Sequence, residues 1–564
     1  MPESDRDRIL TTLTERGYNA DREAVSLLME REDPVAATEA VLAGLSSEAL
    51  VVDGAAVRTH LEEASTVSGA AADVPRGGSS AGRDGSQAGF ESTADGGDRA
   101  ASTVDAERPG APVSSPDPEA DARPVADADA RSDSDAGSRP TATADARPDG
   151  RSTGDPLATP RRDGANGVRI HADMTGESTT TGEYRDFLSL FRDRLERLGG
   201  IVENRVSPIP ARAAGERSPG STIEMVGLVS DVRSTSGGHT LVELEDASGV
   251  FPWLLLSDRD VADVAPEIVH DEVLGMRGTL ADDAGIAFAE SVHLPDVPRT
   301  FEPSTADRPV EAALVSDLHV GSEEFAAAAW EAFAEWLHTP EAESVEYLLV
   351  AGDLVEGVGV YPDQDEELEI VDVFAQYERF GEYCKALPGD LEIVLVPGNH
   401  DAVRLAEPQP GFDETIRDAM TAHETRIASN PAVVEVEGVS ILLYHGTSLD
   451  ELIAALPEDR GSYEAPERAM AQQLRKRHLA PPFGGMQRLA PERRDHLVIG
   501  EIPDVFHAGH VHKLGVGNYR NVRIVNSACW QHQTVFQRSV NLEPDVGFAP
   551  IVDLETLEVT VRSF

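Results

Sequence analysis

Lysine is almost absent from this sequence of 564 residues: of 48 basic side chains only Lys385, Lys476 and Lys513 are lysine, set against 101 Asp and Glu. A formal net charge of -53 excludes a chain that grips DNA by charge alone, because phosphate contacts come from clustered Arg and Lys and weaken further with salt. Metals in a site, or a more basic partner, would have to hold any nucleic acid. The same balance suits a cytoplasm at molar salt, where the Debye length falls to about 3 Å and carboxylates keep the surface hydrated. It points to a halophilic source.

Cysteine is scarce as well. Cys384 and Cys529 stand far apart with no CxxC, which excludes a cysteine zinc site and a disulfide framework and leaves two buried free thiols as the expectation. No run approaches about 18 apolar residues, and the opening MPESDRDRIL is charged where a signal peptide is greasy. A membrane protein is therefore excluded and a cytoplasmic one expected.

Large apolar residues nearly vanish between 66 and 168, where Phe90 and Leu157 are the only Phe and Leu and there is no Ile, Trp or Tyr. Such a segment buries too little apolar area to offset its chain entropy, so 66–168 reads as a disordered acidic linker. Ahead of it, residues 1–50 carry short helical patterns: Ile9, Leu10 and Leu13, then Val25, Leu27 and Leu28, then a third helix opening at Asp33-Pro34. Two roles stay open for this small helical module, partner docking and a solvated tether end.

Order is expected to return near Tyr184, with an amphipathic helix over 183–205 (Phe187, Leu188, Leu190, Phe191, Leu195, Leu198) stopped by Gly199-Gly200. Residues 220–300 then alternate in five short runs, among them IEMVGLVSDV and HTLVELED, separated by Gly, Asp and Ser turns. Five such strands suit an OB-type barrel, a fold able to bind single strands. Trp253 and Phe251 would be its stacking rings, but aromatics in strands are more often core, and we read a structural barrel.

From about 308 the pattern changes to apolar runs that each end in residues able to bind metal. Ala312 to Val315 leads into Asp317 and His319, Tyr347 to Ala351 into Gly352-Asp353, and Ile393 to Pro397 into Gly398-Asn399-His400-Asp401. Val439 to Tyr444 leads into His445-Gly446, and Val505 to Ala508 into Gly509-His510-Val511-His512. Buried strands that deliver ligands from their C-terminal ends are how open sheets build sites. Phosphodiester hydrolysis needs a strong nucleophile, charge neutralisation and a proton for the leaving oxygen, and two cations about 3.5 to 4 Å apart supply the first two. Carboxylates, imidazoles and an amide make mixed O/N shells suited to Mn, Fe or Zn. Each turn alone is an ordinary loop; five in this order, each behind a strand, are not.

The set DxH, GDxxE, GNHD, HG and GHVH resembles the calcineurin-like metallophosphoesterase superfamily over 308–564. The resemblance implies one metal on Asp317, His319, Asp353 and His512, a second on Asp353, Asn399, His445 and His510, His400 as general acid and Asp401 orienting its ring. Arg404 is left open between a phosphate contact and a salt bridge. GDLVEGVGVYP, VPGNHDAVR, the stretch APPFGGMQRLAPERRDHLVIGEIPDVFHAGHVHKLG and NSACWQHQTVFQ look more narrowly like the small subunit of archaeal family-D DNA polymerase (DNA polymerase II). That family combines an OB-fold with a β-sandwich phosphoesterase domain flanked by helices, an α/β multidomain chain. It implies a 3'-5' exonuclease acting on DNA 3' ends, commonly with two Mn(II), and a large polymerising subunit as heterodimer partner. Where the family often has Asp in the second motif this chain has Glu356, outside the ligand set. A non-catalytic scaffold, a repair nuclease and a protein phosphatase are the rival functions, and the complete ligand set speaks against the scaffold.

Overall fold

The computed structural model describes residues 167–361, 364–420 and 425–564, together with parts of 5–58. The linker expected over 66–168 lies outside the described residues except at its end, and there order has already begun. Val168 is 5% exposed and packs in a core. In the N-terminal part, helices Asp5–Glu15, Arg22–Met29 and Pro34–Leu42 and the parallel two-residue strands β1 (Asn19–Ala20) and β2 (Val51–Val52) share a core of Ile9, Leu13, Val25, Leu28 and Val41. Asp33 caps the third helix by accepting the Ala36 N–H at 3.1 Å.

Strand β3 (Arg169–Ala172) departs from the expectation that order begins near Tyr184. It is an edge strand, antiparallel to a later one, with mostly exposed side chains. Without an alternating apolar face, nothing in its own sequence marks it. The following helix, Tyr184–Glu203, buries Leu190, Leu198 and Val202. It continues past Gly199-Gly200 because Ile201 and Val202 pack onto the neighbouring barrel, whose burial outweighs the glycine penalty.

That barrel closes from five strands, β4 (Thr222–Ser234), β5 (Thr240–Asp246), β6 (Gly249–Leu255), β7 (Val273–Leu280) and β8 (Ala287–His293), in the order β4-β5-β6-β8-β7. All pairs are antiparallel except β6 with β8, which closes the wall. Trp253 is fully buried and Phe251 nearly so, so both rings belong to the barrel core and offer no stacking face.

The helix and barrel are locked to the rest of the chain by buried charge. Arg194, fully buried, donates to Asp495 at 2.8 Å and to the carbonyls of Asp271 and Pro481. Lys476 donates to Glu272 at 2.8 Å and to the Glu267 carbonyl, again without solvent. Each pair joins elements roughly two to three hundred residues apart in sequence, which composition cannot reveal.

The remaining strands form two six-stranded sheets. One runs β12-β11-β10-β9-β18-β19 and the other β16-β17-β15-β14-β13-β3, where β9 is Glu311–Val315, β10 Val345–Ala351, β11 Glu392–Val396, β12 Thr425–Ile427, β13 Ala432–Val436, β14 Val439–Leu443, β15 Val505–Ala508, β16 Leu514–Tyr519, β17 Val522–Ser527, β18 Phe548–Asp553 and β19 Val559–Ser563. Their inner faces meet in one core, Leu314, Leu349 and Val394 against Val434, Ile441 and Val505. Helices Ala327–Leu337 and Val373–Lys385 cover the outer face of the first sheet, and Ser448–Ala455 and Pro466–Lys476 that of the second. The result is a four-layer sandwich in a mixed α/β chain. Strands β9, β10 and β11 are mutually parallel, as are β14, β15 and β17, so the turns after them emerge at one edge.

Candidate metal centre

The turns following β9, β10, β11, β14 and β15 meet at that edge and are sewn together by their own backbone. The Asp317 N–H donates to Gly352 O at 3.0 Å, His319 N–H to Asp353 O at 3.1 Å, and Gly509 N–H to His445 O at 2.8 Å. Side chains add to this: the His400 N–H reaches Asp353 Oδ1 at 2.8 Å and the His510 N–H reaches Asp317 Oδ2 at 2.9 Å. Asp317, His319, Asp353, His510 and His512 all have positive φ, between 51° and 70°. Non-glycine residues adopt that backbone rarely and at a cost, and at functional sites the surrounding structure sustains it. Gly398 and Gly509 have no side chain for a related reason: a Cβ there would overlap Asp353 or Asp317.

Two clusters result, with a third group linking them. Ligand atoms of Asp317, His319 and His512 lie within 4.8 Å of one another, and so do those of Asp353, His445 and His510, and those of His319, Asp353 and His400 between them. Asp353 sits between the clusters, its Oδ2 3.2 Å from His445 Nε2 and 3.7 Å from His319 Nε2. Asn399 joins the second cluster through Oδ1, 2.9 Å from His445 Nε2. All seven residues singled out as metal ligands thus come together. Asp317, His319, Asp353, His445 and His512 are buried, whereas Asn399, His400 and His510 are half-buried and leave one side open.

These residues fit a pair of cations. His445 donates its Nδ1–H to Ala351 O at 3.0 Å, yet its Nε2 faces two acceptors, Asn399 Oδ1 and Asp353 Oδ2. A nitrogen between two oxygens requires a positive centre there, either a proton or a metal. Burial opposes the proton, but Asp353 and Asp317 outweigh it and lift the His445 pKa to about 10. His319 repeats the pattern: its Nδ1 is 2.8 Å from Glu356 Oε2, while its Nε2 points at His512 Nε2, 3.1 Å away. Burial again opposes charge there, and Glu356, Asp353 and Asp317 raise the pKa to about 9. Burial would raise the carboxyls in turn. The imidazoles of His512 and His445 hold Asp317 below the usual range, and those of His445 and His400 hold Asp353 well below it. Carboxylate, imidazole and amide donors without a thiolate match Mn, Fe or Zn better than an all-oxygen calcium cage.

One expected role needs correction, and one left open is decided. Asp401 does not orient His400. Its carboxylate turns inward, accepting the N–H groups of Gly398 (2.8 Å) and Leu354 (3.2 Å) and the Tyr377 hydroxyl (3.0 Å). It is buried beneath the loop, and burial together with Asp353 lifts its pKa to about 7. The His400 ring is held by Glu356, whose carbonyl oxygen accepts from Nδ1 at 2.8 Å. Arg404 takes the salt-bridge reading: its guanidinium is committed to Glu492 at 3.0 Å, Ser178 and the Pro408 carbonyl.

Glu356 is the residue whose importance sequence reasoning underrated. It is 2% exposed, touches His319 as well as His400, and accepts from Gln531 (2.8 Å), Tyr361 (3.1 Å) and Gln364 (3.2 Å). Burial works against its charge, but His319 and its other donors hold the pKa down to about 2. Other supporting groups missed in sequence are Gln537, 2.9 Å from His512 Nδ1, and Asp450, 3.1 Å from His510 Nε2. The signal for Glu356 and Gln531 lay in the GDxxE and NSACWQHQ spellings, though neither spacing says what the side chain meets.

Comparison with known proteins agrees in placing the chain. A family model for the B subunit of DNA polymerase alpha/epsilon matches residues 312–514. The DNA polymerase II small subunit of Archaeoglobus fulgidus is 40% identical over 388 residues, 67% of this chain and 77% of that one. That of Pyrococcus furiosus is 38% identical over 387 residues, 66% and 62%. A solved structure described as a novel archaeal phosphodiesterase aligns 45% of this chain with all of its own at 16% identity and a TM-score of 0.24, too low a likeness to bear on the fold. In the DNA polymerase II small subunit of Halobacterium salinarum, 52% of 564 aligned residues are identical and 100% of both chains is covered, so this chain belongs to the family of archaeal DNA polymerase II small subunits.

Proposed function

We propose that this small subunit is a two-cation phosphodiesterase, a 3'-5' exonuclease that trims DNA 3' ends for a large polymerising subunit. The observation that carries the reading is the meeting of two ligand clusters across Asp353, in a chain of this family. A four-layer sandwich with ligands at its strand ends is consistent with a metallophosphoesterase domain. The 1-2-3-5-4 strand order of the barrel suits an OB-fold.

Asp317, His319, Asp353 and His512 would hold one cation and Asp353, Asn399, His445 and His510 the other, manganese being the first choice. When bound, the cations would supply the activated water and neutralise the phosphate oxygens. The chain's own groups do the rest. Glu356 fixes His319 and, through its carbonyl, His400. With Nδ1 so engaged and the side chain 18% exposed, His400 has Nε2 left to protonate the departing 3' oxygen and release a 5'-nucleotide. The acidic surface binds no DNA unaided, so the large subunit delivers the strand.

The test is cleavage of a 3'-labelled single strand in Mn(II) at molar salt by the two-subunit complex. Asp353→Asn and His400→Ala should each lower the rate by at least a hundredfold. Activity surviving either change would defeat the assignment. No cleavage by the unsubstituted complex would leave the subunit a scaffold.

A further inference from the structure

A cleft of about 240 Å³ opens beside the second ligand cluster, lined by Asn399 and His510 of that cluster and by Leu405, Met486 and Arg488 among others. Its volume is below the roughly 300–1,000 Å³ of ordinary small-molecule sites, so it suits one unit of a polymer that continues into solvent. Its two lining carboxylates are already engaged: Asp450 contacts His510 at 3.1 Å, and Glu451 accepts the Gln487 N–H at 2.9 Å. Arg488 is exposed, and among the described residues its guanidinium has no hydrogen-bond or ion-pair partner. What sets Arg488 apart is its place: it stands on the lip of this site, a cation with no carboxylate partner beside a ligand cluster.

The loop that carries Arg488 is fixed rather than loose. The Glu407 N–H donates to Arg488 O at 2.9 Å and the Ala490 N–H to Glu407 O at 2.8 Å. The Gln487 side chain donates to Glu407 Oε2 at 2.6 Å, and the same carboxylate oxygen accepts from Tyr444, the neighbour of His445, at 2.8 Å. Position 488 is thereby tied to the floor of the ligand cluster. Beside it Leu405 and Met486 are 41% and 71% exposed, two apolar side chains on the rim of a polar cleft.

We infer that Arg488 binds a backbone phosphate of the strand next to the cleavage point, while Leu405 and Met486 cover the face of the terminal base. The inference rests on the phosphodiesterase reading and adds to it the seat of the substrate. An arginine fork pairs with phosphate bidentately, and apolar side chains can pack on the flat face of a base.

The experiment measures kcat and KM of the two-subunit complex on a 3'-labelled single strand across a salt series, for the unsubstituted protein, Arg488→Gln and Arg488→Lys. Arg488→Gln should raise KM about tenfold with kcat within about threefold. It should also flatten the plot of log KM against log salt by about 0.7, the share of one phosphate contact on a single strand. Arg488→Lys should restore the slope and part of the affinity. Met486→Ala should raise KM for an ordinary strand and leave it unchanged for one whose terminal residue lacks a base. An active complex whose KM and salt slope ignore Arg488→Gln would overturn this inference alone, whereas an inactive unsubstituted complex would overturn the phosphodiesterase reading and this inference with it.

Discussion

Replacing Glu356 with Gln asks whether a carboxylate that touches no substrate sets the strength of one metal site and not the other. Four side-chain donors converge on it: His319 and Gln531 on Oε2, both at 2.8 Å, and Tyr361 and Gln364 on Oε1 at 3.1 and 3.2 Å. An amide has one acceptor oxygen and one NH2, so whichever way it turns, at least one donor faces a donor. Leaving buried donors unsatisfied costs about 1–3 kcal/mol in stability. The larger effect falls on His319, which loses the charged partner that fixes its tautomer. Removing such a partner typically costs 10- to 100-fold in metal affinity, about 1.4–2.8 kcal/mol. Calorimetric titration of Mn(II) into the metal-free protein at constant high salt should therefore show one site weakened about 10- to 100-fold. The His445–His510 site, which Glu356 does not touch, should stay within about threefold. Equal weakening of both sites, or of neither, would refute the reasoning.

Two further outcomes concern stability. Arg194→Leu leaves Asp495 buried without its cation, and loss of one partner of a buried pair costs about 3–5 kcal/mol. Denaturant unfolding at fixed salt should show that loss, and adding Asp495→Asn should recover part of it; a loss below about 1 kcal/mol would contradict the geometry. The second outcome is pH dependence. Burial first, and Arg194 next, push the pKa of His478 down to about 4, and the Ala480 N–H donates to its Nδ1 at 3.0 Å, a bond only the neutral ring can accept. Burial likewise holds His507 at about 3. In the unfolded chain both titrate near 6.5, so below that pH the unfolded state binds more protons and stability falls as pH falls, by up to about 1.4 kcal/mol per unit for each ring, levelling off near 3 to 4. Unfolding midpoints that stay flat between pH 7 and 5 would show that the rings are not held neutral.

Much of the site could be read from the chain because its ligands come directly after strands. A buried parallel strand is a continuous apolar run, and the turn after it is thrown out at one sheet edge, so Asp317, Asp353, Asn399, His445 and His510 announce themselves by position. The barrel was legible for a related reason: alternation with turn residues at short intervals needs no long-range information. β3 was not legible, since it is an exposed edge strand whose partner lies more than 250 residues away.

The sequence by itself determined the acidic, lysine-poor surface, the segment too poor in apolar residues to build a core, and the donor types available to a metal. Those follow from composition and local periodicity. Only the tertiary structure decided that Glu356 and not Asp401 holds His400, that Arg404 is spent on Glu492 while Arg488 stays free, and that Arg194 and Lys476 are buried in pairs. Each of these choices depends on which side chains sheet packing brings within about 3 Å of one another, and contacts between residues tens to hundreds of positions apart leave no periodic trace along the chain.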